Sequence, residues 1–493
     1  MAPAVKAQNT ILDKRRAGVL LHPTSLPAGD FGTDAYRFVE FLAAACLSVW
    51  QTLPLGPTHD DRSPYHCLSV HAIDPGFISF ERLISQGWLK PDDIGRTRHE
   101  QLTRVQDWFQ IHADPAARAD WQGFAAAQGH WLEDYALFQA LREEQHNAPW
   151  WRWPTALRDR DPEALAAAHR RLAGRIALLR FEQYLADRQW QEIKVHAGGR
   201  GVRLFGDMPI FIAHDSAEVW AHRDCFRLDA AGQPLVVAGV PPDYFSAHGQ
   251  RWGNPLYDWE CARTNGFQWW LARLATEFSR FDLVRVDHFR GFEACWEIPA
   301  TDATAANGRW VEVPGAELFD TLLGHFGALP LVAEDLGHIT PAVHALRARY
   351  GLPGMLVLQF AFDGGPDNPY LPHNHPVNSV VYTGTHDNDT TRAWFESLPA
   401  EHRLRVTDYL GQPQEAMPWP LVRAALASVA RLAILPMQDI LGLGPGQRIN
   451  TPGTTHGNWQ WRFNWDGISE PTVTKLRKLV SMYGRQVRGE GKE

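Results

Sequence analysis

Residues 282–289 read DLVRVDHF, a short run that is mostly apolar and ends in polar residues. Near-continuous branched apolar residues over this length are typical of a strand buried on both faces, as in a parallel sheet. Because successive side chains of a strand point to opposite faces, Arg285 and Asp287 share one face and Val284 lies on the other. The stretch therefore predicts a buried strand that ends in a carboxylate with a guanidinium beside it.

Seven further runs of this kind lie along the chain. They are GVLLHPTSLP (18–27), SVWQTLPLGP (48–57), GVRLFGDMPIF (201–211), LPLVAEDLG (329–337), GMLVLQFAF (354–362), SVVYTGTHD (379–387) and LAILPMQDILGLG (432–444). The segments between them carry helical signals, such as the Asp161–Pro162 cap and the apolar spacing from Trp131 to Leu141. Eight buried strands that alternate with helices predict an α/β fold, namely a (β/α)8 TIM-type barrel.

The connections between the predicted strands are uneven in length. Residues 58–200 follow the second strand and residues 212–281 follow the third, and both segments are too long for simple crossovers. We expect them to be large, mainly helical insertions around the C-terminal rim of a single catalytic barrel domain that spans 1–493. Residues 239–257 are rich in Gly, Pro and aromatic residues, which predicts a lid loop rather than a helix.

Composition argues against several classes of protein. The chain has 493 residues and a formal net charge of −8, which disfavours a chain-wide basic surface for nucleic acid or a membrane. Its five cysteines include no C-x-x-C pair, so a reducing compartment is favoured over a disulfide framework. The longest nearly apolar run, 41–50, is about half of a membrane span, and the N-terminus lacks a leader pattern. We expect a cytoplasmic protein with no obligate protein partner.

Tryptophan is unusually frequent, at 21 residues. Large aromatic side chains fill cores and interfaces, which explains part of this number. They also stack on flat-faced ligands such as sugars, so the composition leaves both explanations open.

Four of the predicted strands end in a carboxylate. These residues are Asp207 on the third strand, Asp287 on the fourth, Glu334 on the fifth and Asp387 on the seventh. Barrel enzymes carry their chemistry at this rim, and clustered like charges are costly where water is excluded. A catalytic role for the set is therefore favoured over four unrelated helix caps. The guanidinium of Arg285 keeps Asp287 ionised, as a nucleophile requires.

Glu334 ends the strand that follows the strand of Asp287. Neighbouring parallel strands lie roughly 4.8 Å apart, so the two carboxyl groups are expected about 5 Å apart. That spacing is typical of a retaining glycosidase, since an inverting enzyme needs a wider gap for water. The charges of Asp287 and Asp387 are expected to raise the pKa of Glu334, which keeps it protonated as a general acid.

A metal site is the rival interpretation of this rim. His22, His288 and His386 also lie at strand ends, and imidazole with carboxylate binds zinc or manganese. The first strand lacks a His-x-His pair, and His288 should point away from the face of Asp287. We therefore predict no metal ligand, with a metal-dependent barrel hydrolase as the alternative.

An ordered set of motifs is similar to the amylomaltase family, the 4-alpha-glucanotransferases or disproportionating enzymes of the wider α-amylase group. The motifs are LLHPTSLP (20–27), SPY (63–65), GDMPIF (206–211), VPPDYFSAHGQRWGNPLY (240–257), VRVDHFRGF (284–292), AEDLG (333–337), THDNDT (385–390) and NTPGTTHGNWQWR (450–462). One of them alone is weak evidence, but the ordered set is very specific. The resemblance covers most of the chain, from Gly18 to near Trp465.

The resemblance implies a role for each site residue. Asp287 matches the nucleophile, Glu334 the general acid/base and Asp387 the carboxylate that holds sugar hydroxyls. Substrate-binding roles are implied for Tyr65, which stacks under the sugar, for Asp207 and Arg285 beside the nucleophile, for His386, and for the lid aromatics Tyr244, Phe245 and Trp252.

The implied activity is the transfer of α-1,4-glucan segments to the 4-hydroxyl of glucose or another glucan, with retention and without a cofactor. A retaining α-glucan hydrolase and a non-catalytic glucan-binding protein remain as alternatives. One stretch departs from the family pattern, because residues 57–65 read PTHDDRSPY where many relatives have PTGxGxSPY. The charged replacement predicts an altered preference for glucan length.

Overall fold

The computed structural model describes residues 10–242 and 248–487. Its strands are β1 (Arg16–Leu20), β2 (Val49–Gln51), β3 (Arg203–Pro209), β4 (Val236–Val240), β5 (Gln250–Pro255), β6 (Leu283–Asp287), β7 (Ala294–Pro299), β8 (Arg309–Glu312), β9 (Leu331–Ala333), β10 (Gly354–Val357), β11 (Ser379–Tyr382) and β12 (Leu432–Pro436). Eight of them close into a barrel in the order β1-β2-β3-β6-β9-β10-β11-β12, with all neighbours parallel. The predicted (β/α)8 barrel is confirmed, and each barrel strand lies within or across one of the eight apolar runs.

Helices surround this barrel. They are α1 (Thr33–Ala44), α2 (Phe80–Ser85), α3 (Arg98–His112), α4 (Pro115–Ala127), α5 (Gly129–Glu144), α6 (Thr155–Arg158), α7 (Pro162–Arg171), α8 (Ala173–Gly199), α9 (Ala217–Ala221), α10 (Trp259–Thr264), α11 (Gln268–Arg280), α12 (Gly315–Phe326), α13 (Pro341–Arg349), α14 (Thr391–Ser397), α15 (Ala400–Tyr409), α16 (Trp419–Ala427), α17 (Met437–Ile440) and α18 (Glu470–Met482). Helices α2 to α8 lie between β2 and β3. None of the helices in the described part of the chain has the length and apolar character needed to cross a membrane.

Local sequence signals set several helix boundaries. The Asp161 side chain accepts the backbone N–H groups of Glu163 and Ala164, which satisfies donors that the first turn of α7 leaves free. The predicted apolar stripe from Trp131 to Leu141 is buried on α5, against the long helix α8. Helices α5 and α8 therefore carry most of the buried apolar surface of this segment.

A second sheet lies outside the barrel and was not predicted. It has four antiparallel strands in the order β5-β4-β7-β8. Part of the stretch 239–257, which the sequence predicts to be a loop, is strand β5. Strands β5 and β8 were missed because they are mostly exposed and carry no apolar run, whereas β4 and β7 are largely buried. This sheet brings Trp252 toward the barrel rim.

Large side chains fill the interior. Trp50, Trp150, Trp190, Trp220 and Trp270 are fully buried, so core packing accounts for a good part of the tryptophan content. Small residues are needed where elements approach closely. A Cβ at Gly206 would lie 2.3 Å from the ring of Phe281, so glycine is required directly before the carboxylate of Asp207.

Candidate active site

Strands β3 and β6 place three charged residues side by side near their C-terminal ends, at the base of the cleft. Their register sets Asp207 opposite Arg285 and Pro209 opposite Asp287. Arg285 Nη2 donates to Asp287 Oδ1 at 2.7 Å, and Nη1 donates to Asp207 Oδ1 and Oδ2 at 2.8 and 2.7 Å. The predicted pairing of Arg285 with Asp287 on one strand face is thus present. A second carboxylate, that of Asp207, shares the same guanidinium.

Asp207 is held away from solvent. Its side chain is fully buried, whereas that of Asp287 is about one-third exposed, at 31%. The hydroxyl of Tyr65 donates to Asp207 Oδ2 at 2.8 Å. Burial raises the pKa of Asp207 to about 7, with Arg285 opposing that shift and Asp287 adding to it. Asp207 therefore contacts Arg285 and Tyr65 and does not line the open cleft as Asp287 does.

Glu334 follows β9 directly and lies beside Asp287. The pairing of Val286 with Ala333 sets this neighbourhood, and the backbone N–H of Glu334 donates to Val286 O at 3.0 Å. Its carboxylate accepts the backbone N–H groups of His288 at 2.7 Å and Leu336 at 3.0 Å. These bonds fix the carboxyl group at the strand end.

The acidity of Glu334 is shifted in the predicted direction. Burial is the largest cause and raises its pKa to about 7, the charge of Arg285 opposes the shift, and that of Asp287 adds to it. The predicted cause was therefore incomplete, since burial contributes more than the neighbouring charge. A carboxyl group with this pKa is protonated for part of the time at neutral pH, as a general acid requires.

Asp387 lies in the loop after β11 and is the most exposed of the carboxylates, with 47% of its side chain accessible. Asn450 Nδ2 donates to its Oδ1 at 2.6 Å, and His386 Nε2 lies 3.3 Å from the same atom. Arg448 Nη2 donates to the Asp387 carbonyl at 2.6 Å. Asn450 opens the motif at 450–462, but the sequence alone indicated no role for Asn450 or Arg448. No strand-end pattern could reveal them, because both lie in the segment after β12.

Aromatic rings line one side of this group of carboxylates. Tyr65 stacks on His386 with a centroid distance of 5.0 Å and an interplanar angle of 20°. Trp459 lies 6.0 Å from Tyr65 and 5.9 Å from His386, measured between ring centroids. The predicted residues Tyr65 and His386 therefore lie together with Asp207 and Asp387. Trp459 belongs to the same cluster and was missed.

A cleft of about 740 Å³ opens from Asp287 along the barrel rim. Its near end is lined by Tyr65, Asp287, His288 and Trp252. Trp252 is 39% exposed, and its ring meets that of His288 edge-on at 4.8 Å between centroids. The structure thus places Trp252 at the mouth as predicted. Tyr244 and Phe245 lie outside the described residues.

The histidines of the rival metal interpretation are dispersed. His288 packs against Trp252, and His22 is buried edge-on to Phe77 at 5.6 Å between centroids. Across residues 10–242 and 248–487, no group of three or more His, Cys, Asp or Glu side chains is arranged to hold a metal ion. The imidazole of His386 instead contacts Asp387 and Tyr65.

A closed parallel barrel with paired carboxyl groups on adjacent strand ends, one held by arginine and one of raised pKa, defines a barrel enzyme of glycosidic-bond chemistry. A family model described as 4-alpha-glucanotransferase matches residues 20–468. The chain belongs to this 4-alpha-glucanotransferase family, and it is an enzyme of hexosyl transfer.

Individual relatives cover nearly the whole chain. A 4-alpha-glucanotransferase of Synechocystis sp. is 46% identical over 501 aligned residues, which span 97% of this chain and 99% of the relative. One of Thermus thermophilus is 47% identical over 490 residues, with 94% and 98% covered. Among solved structures, an amylomaltase from Streptococcus agalactiae in complex with acarbose superposes with a TM-score of 0.92. It is 36% identical, with 96% of this chain and 100% of that chain covered.

Proposed function

We propose that this chain disproportionates α-1,4-glucans by a retaining double displacement in which Asp287 is the nucleophile and Glu334 the general acid/base. The observation that carries the assignment is the guanidinium of Arg285, which contacts Asp287, beside a Glu334 whose pKa is raised to about 7. Two carboxyl groups on adjacent strand ends, one bonded to a guanidinium and the other buried with a raised pKa, divide the roles of nucleophile and acid. The solved amylomaltase from Streptococcus agalactiae is a complex with acarbose, which supports a carbohydrate ligand for this chain.

The first step breaks the donor's glycosidic bond. Glu334 transfers its proton to the glycosidic oxygen while Asp287 Oδ attacks the anomeric carbon, so the shortened glucan leaves as an alcohol. Asp387 accepts the 2- and 3-hydroxyls of the same sugar, and Asn450 holds the carboxylate of Asp387 in place. Charge-assisted bonds of this kind strengthen as positive charge develops on the ring, which lowers the barrier.

The second step regenerates the α-1,4 bond. Glu334, now ionised, removes the proton from the 4-hydroxyl of an acceptor, and that oxygen displaces Asp287 from the anomeric carbon. The acceptor is glucose or the non-reducing end of another glucan. Two inversions give net retention, and all proton transfers are supplied by the chain's own carboxyl groups.

Incubation with maltotriose tests this function. We expect a ladder of longer maltodextrins together with glucose, and no net gain in reducing ends. Chromatography measures the chain lengths, and a reducing-sugar assay measures the reducing ends. The Asp287→Ala protein is the matched control and should show neither product. Rising reducing ends without longer products would make the chain a hydrolase and contradict the proposal.

Domain organisation and cellular location belong to the same proposal. We place 58–200 and 212–281 as insertions of one catalytic domain that spans 1–493, because helices α2 to α8 lie between the neighbouring barrel strands β2 and β3.

A cytoplasmic location is supported by the five cysteines, all of which are free. The net charge of −8 suits a neutral glucan substrate better than a nucleic acid, and no obligate protein partner is invoked.

A further inference from the structure

Strand β5 is held to the barrel by side-chain hydrogen bonds. It is the edge strand of the second sheet, and in the described part of the chain its only strand partner is β4. Asn254 on β5 donates from Nδ2 to Ile212 O at 2.8 Å. The hydroxyl of Tyr257, which follows β5 closely, donates to Ile210 O at 2.7 Å. Both acceptors lie in the segment directly after β3, so these bonds join β5 to the end of a barrel strand.

The segment after β3 is also bonded to the strand that carries Asp287. Pro209 pairs with Asp287 in the register of β3 and β6, and the backbone N–H of Ile210 donates to Asp287 O at 3.3 Å. Pro209 and Ile210 both line the cleft. The peptide groups of Ile210 therefore contact the strand of the proposed nucleophile on one side and, through Tyr257, strand β5 on the other.

A buried guanidinium lies behind this junction. Arg273 on α11 is fully buried, and its Nη1 donates to Ile210 O and to the Tyr257 hydroxyl oxygen, both at 3.0 Å. Its Nη2 donates to Pro209 O. The planar guanidinium thus reaches two successive carbonyls and one hydroxyl at once, which the compact ammonium of a lysine does not match.

These bonds of Arg273 fix geometry. Their acceptors are neutral oxygen atoms, so the bonds place backbone and hydroxyl groups and do not serve to neutralise a carboxylate. The rings of Trp269 and Trp270 lie 5.2 and 5.4 Å from the guanidinium carbon and confine it further. Burying a charged group is costly unless its donors are satisfied, so the arrangement of its acceptors is strongly specified.

We propose that Arg273 and the Tyr257 hydroxyl are positioning residues that set the place of strand β5 relative to Asp287. The inference rests on the proposed function, because it specifies what holds Trp252 beside the covalent intermediate when an acceptor sugar enters. In the described structure the two residues line no part of the cleft, so they act through β5 and the segment after β3. Losing the hydroxyl should therefore spare the first step and weaken the second, in which the acceptor competes with water.

A glycosyl fluoride separates the two steps, because fluoride leaves in the first and the acceptor enters in the second. With α-maltosyl fluoride as donor, kcat/KM for the donor in the Tyr257→Phe protein should stay within about twofold of the wild type, since Arg273 still bonds Ile210 O. The kcat/KM for glucose as acceptor should fall about three- to tenfold, as expected for one lost hydrogen bond, and the hydrolysed fraction should rise. An acceptor kcat/KM equal to that of the wild type would overturn the inference.

Tyr350→Phe is the matched control. Its hydroxyl also belongs to a buried tyrosine and donates to a backbone carbonyl, Ala316 O at 2.7 Å, but Tyr350 does not line the cleft and lies on no path to β5. This variant should lose stability to a similar extent and keep the wild-type kcat/KM for glucose. A fall equal to that of Tyr257→Phe would assign the effect to general destabilisation and overturn the positioning role.

Arg273→Lys tests the second member of the network. It keeps a positive charge but bonds fewer of the three acceptors, so the kcat/KM for glucose should fall in the same direction. Because Arg273 and Tyr257 share Ile210 O, the double variant should be little worse than Arg273→Lys alone. Fully additive effects of the two changes would show that the residues act independently and contradict the network.

Hydrogen exchange followed by mass spectrometry separates this inference from the proposed function. The backbone amides of β5 should exchange several-fold faster in Tyr257→Phe than in the wild type, whereas those of β6 should not change. If the wild type only hydrolyses glucans, the proposed function fails and exchange alone decides the inference. Equal exchange of β5 in the two proteins would then overturn it.

Discussion

The role proposed for Glu334 predicts a pH dependence of the reaction in a defined direction. Because burial and the charge of Asp287 raise its pKa to about 7, the acid form required in the first step is lost as pH rises through that value. We expect kcat/KM for maltotriose to fall about tenfold per pH unit above roughly pH 7.5. A profile of initial transfer rates between about pH 5 and pH 9 measures this alkaline limb.

Asp207 provides the control for that prediction. Its pKa is also raised to about 7 by burial, so either carboxyl group could produce the limb. In the Asp207→Asn protein the alkaline limb should persist at a lower overall rate, because Glu334 still titrates. Disappearance of the limb would assign it to Asp207 and contradict the role given to Glu334.

Asn450 positions the exposed carboxylate of Asp387. The bond from Nδ2 to Oδ1 is 2.6 Å long, and nearly half of the Asp387 side chain is accessible to water. Without it, Asp387 gains rotamers that cannot reach the sugar hydroxyls, so kcat of the Asn450→Ala protein should fall about tenfold or more. Asn378→Ala is the control, since Asn378 donates to Gly351 O and does not line the cleft. A kcat equal to that of the wild type in Asn450→Ala would show that Asp387 needs no such support.

At the scale of elements, we propose that strand β5 limits what reaches the covalent intermediate. It pairs with β4 and holds Trp252 against His288 at the cleft mouth. Transfer exceeds hydrolysis when an acceptor sugar is positioned and water is excluded. We expect Trp252→Ala to raise the ratio of hydrolysis to transfer several-fold, measured as reducing ends released per bond transferred.

The outer sheet offers a matched control for Trp252. Trp310 on β8 is exposed to a similar extent, 37% against 39%, but does not line the cleft. The Trp310→Ala protein should keep the wild-type ratio. An unchanged ratio in Trp252→Ala would show that β5 has no part in acceptor selection.

The barrel strands were predictable and strand β5 of the outer sheet was not, for one physical reason. A strand buried on both faces must be apolar along its length, so runs such as 282–289 and 379–387 are visible in the sequence. Strand β5 reads QRWGNP and is mostly exposed, and its place depends on pairing with β4, about ten residues earlier. A strand whose position is set only by pairing with another strand therefore leaves no local signal in the sequence.

The same distinction separates the site residues. Asp207, Asp287 and Glu334 stand on or directly after barrel strands, where topology alone brings them together. Asn450 and Trp459 come from the segment after β12, and only the folded chain brings them to Asp387 and Tyr65. Their role depends on loop conformation, which periodicity does not encode.

Across the whole molecule, two sets of buried ionisable groups act oppositely on stability. Burial is the largest cause in every case. It raises the pKa of four carboxyl groups to about 7, namely Asp207, Glu218, Glu277 and Glu334. It lowers the pKa of His22 to about 3 and of His59, His214 and His288 to about 4. Neutral forms are therefore favoured by folding in both sets.

The signs of the two contributions follow from which state binds the proton. Between about pH 4.5 and 7 the folded chain keeps protons on these carboxyl groups that the unfolded chain releases, so their contribution to stability falls as pH rises. Between about pH 6.5 and 4 the unfolded chain protonates histidines that the folded chain keeps neutral, so their contribution falls as pH decreases. The two slopes oppose each other between about pH 4.5 and 6.5.

The free energy of unfolding should therefore be nearly constant between about pH 5 and 6.5 and fall as pH decreases below about pH 4.5. There the carboxyl groups are protonated in both states, and each histidine contributes up to about 1.4 kcal/mol per pH unit without opposition until the pH passes its folded pKa, about 4 for His59, His214 and His288 and about 3 for His22. Urea denaturation followed by the fluorescence of the buried tryptophans measures this profile. Repeating it at about 0.5 M NaCl should leave the acid slope in place, since buried groups are weakly screened. A free energy of unfolding that increases from pH 6 to pH 4 would show that the carboxyl groups dominate and that the histidines are protonated in the folded chain.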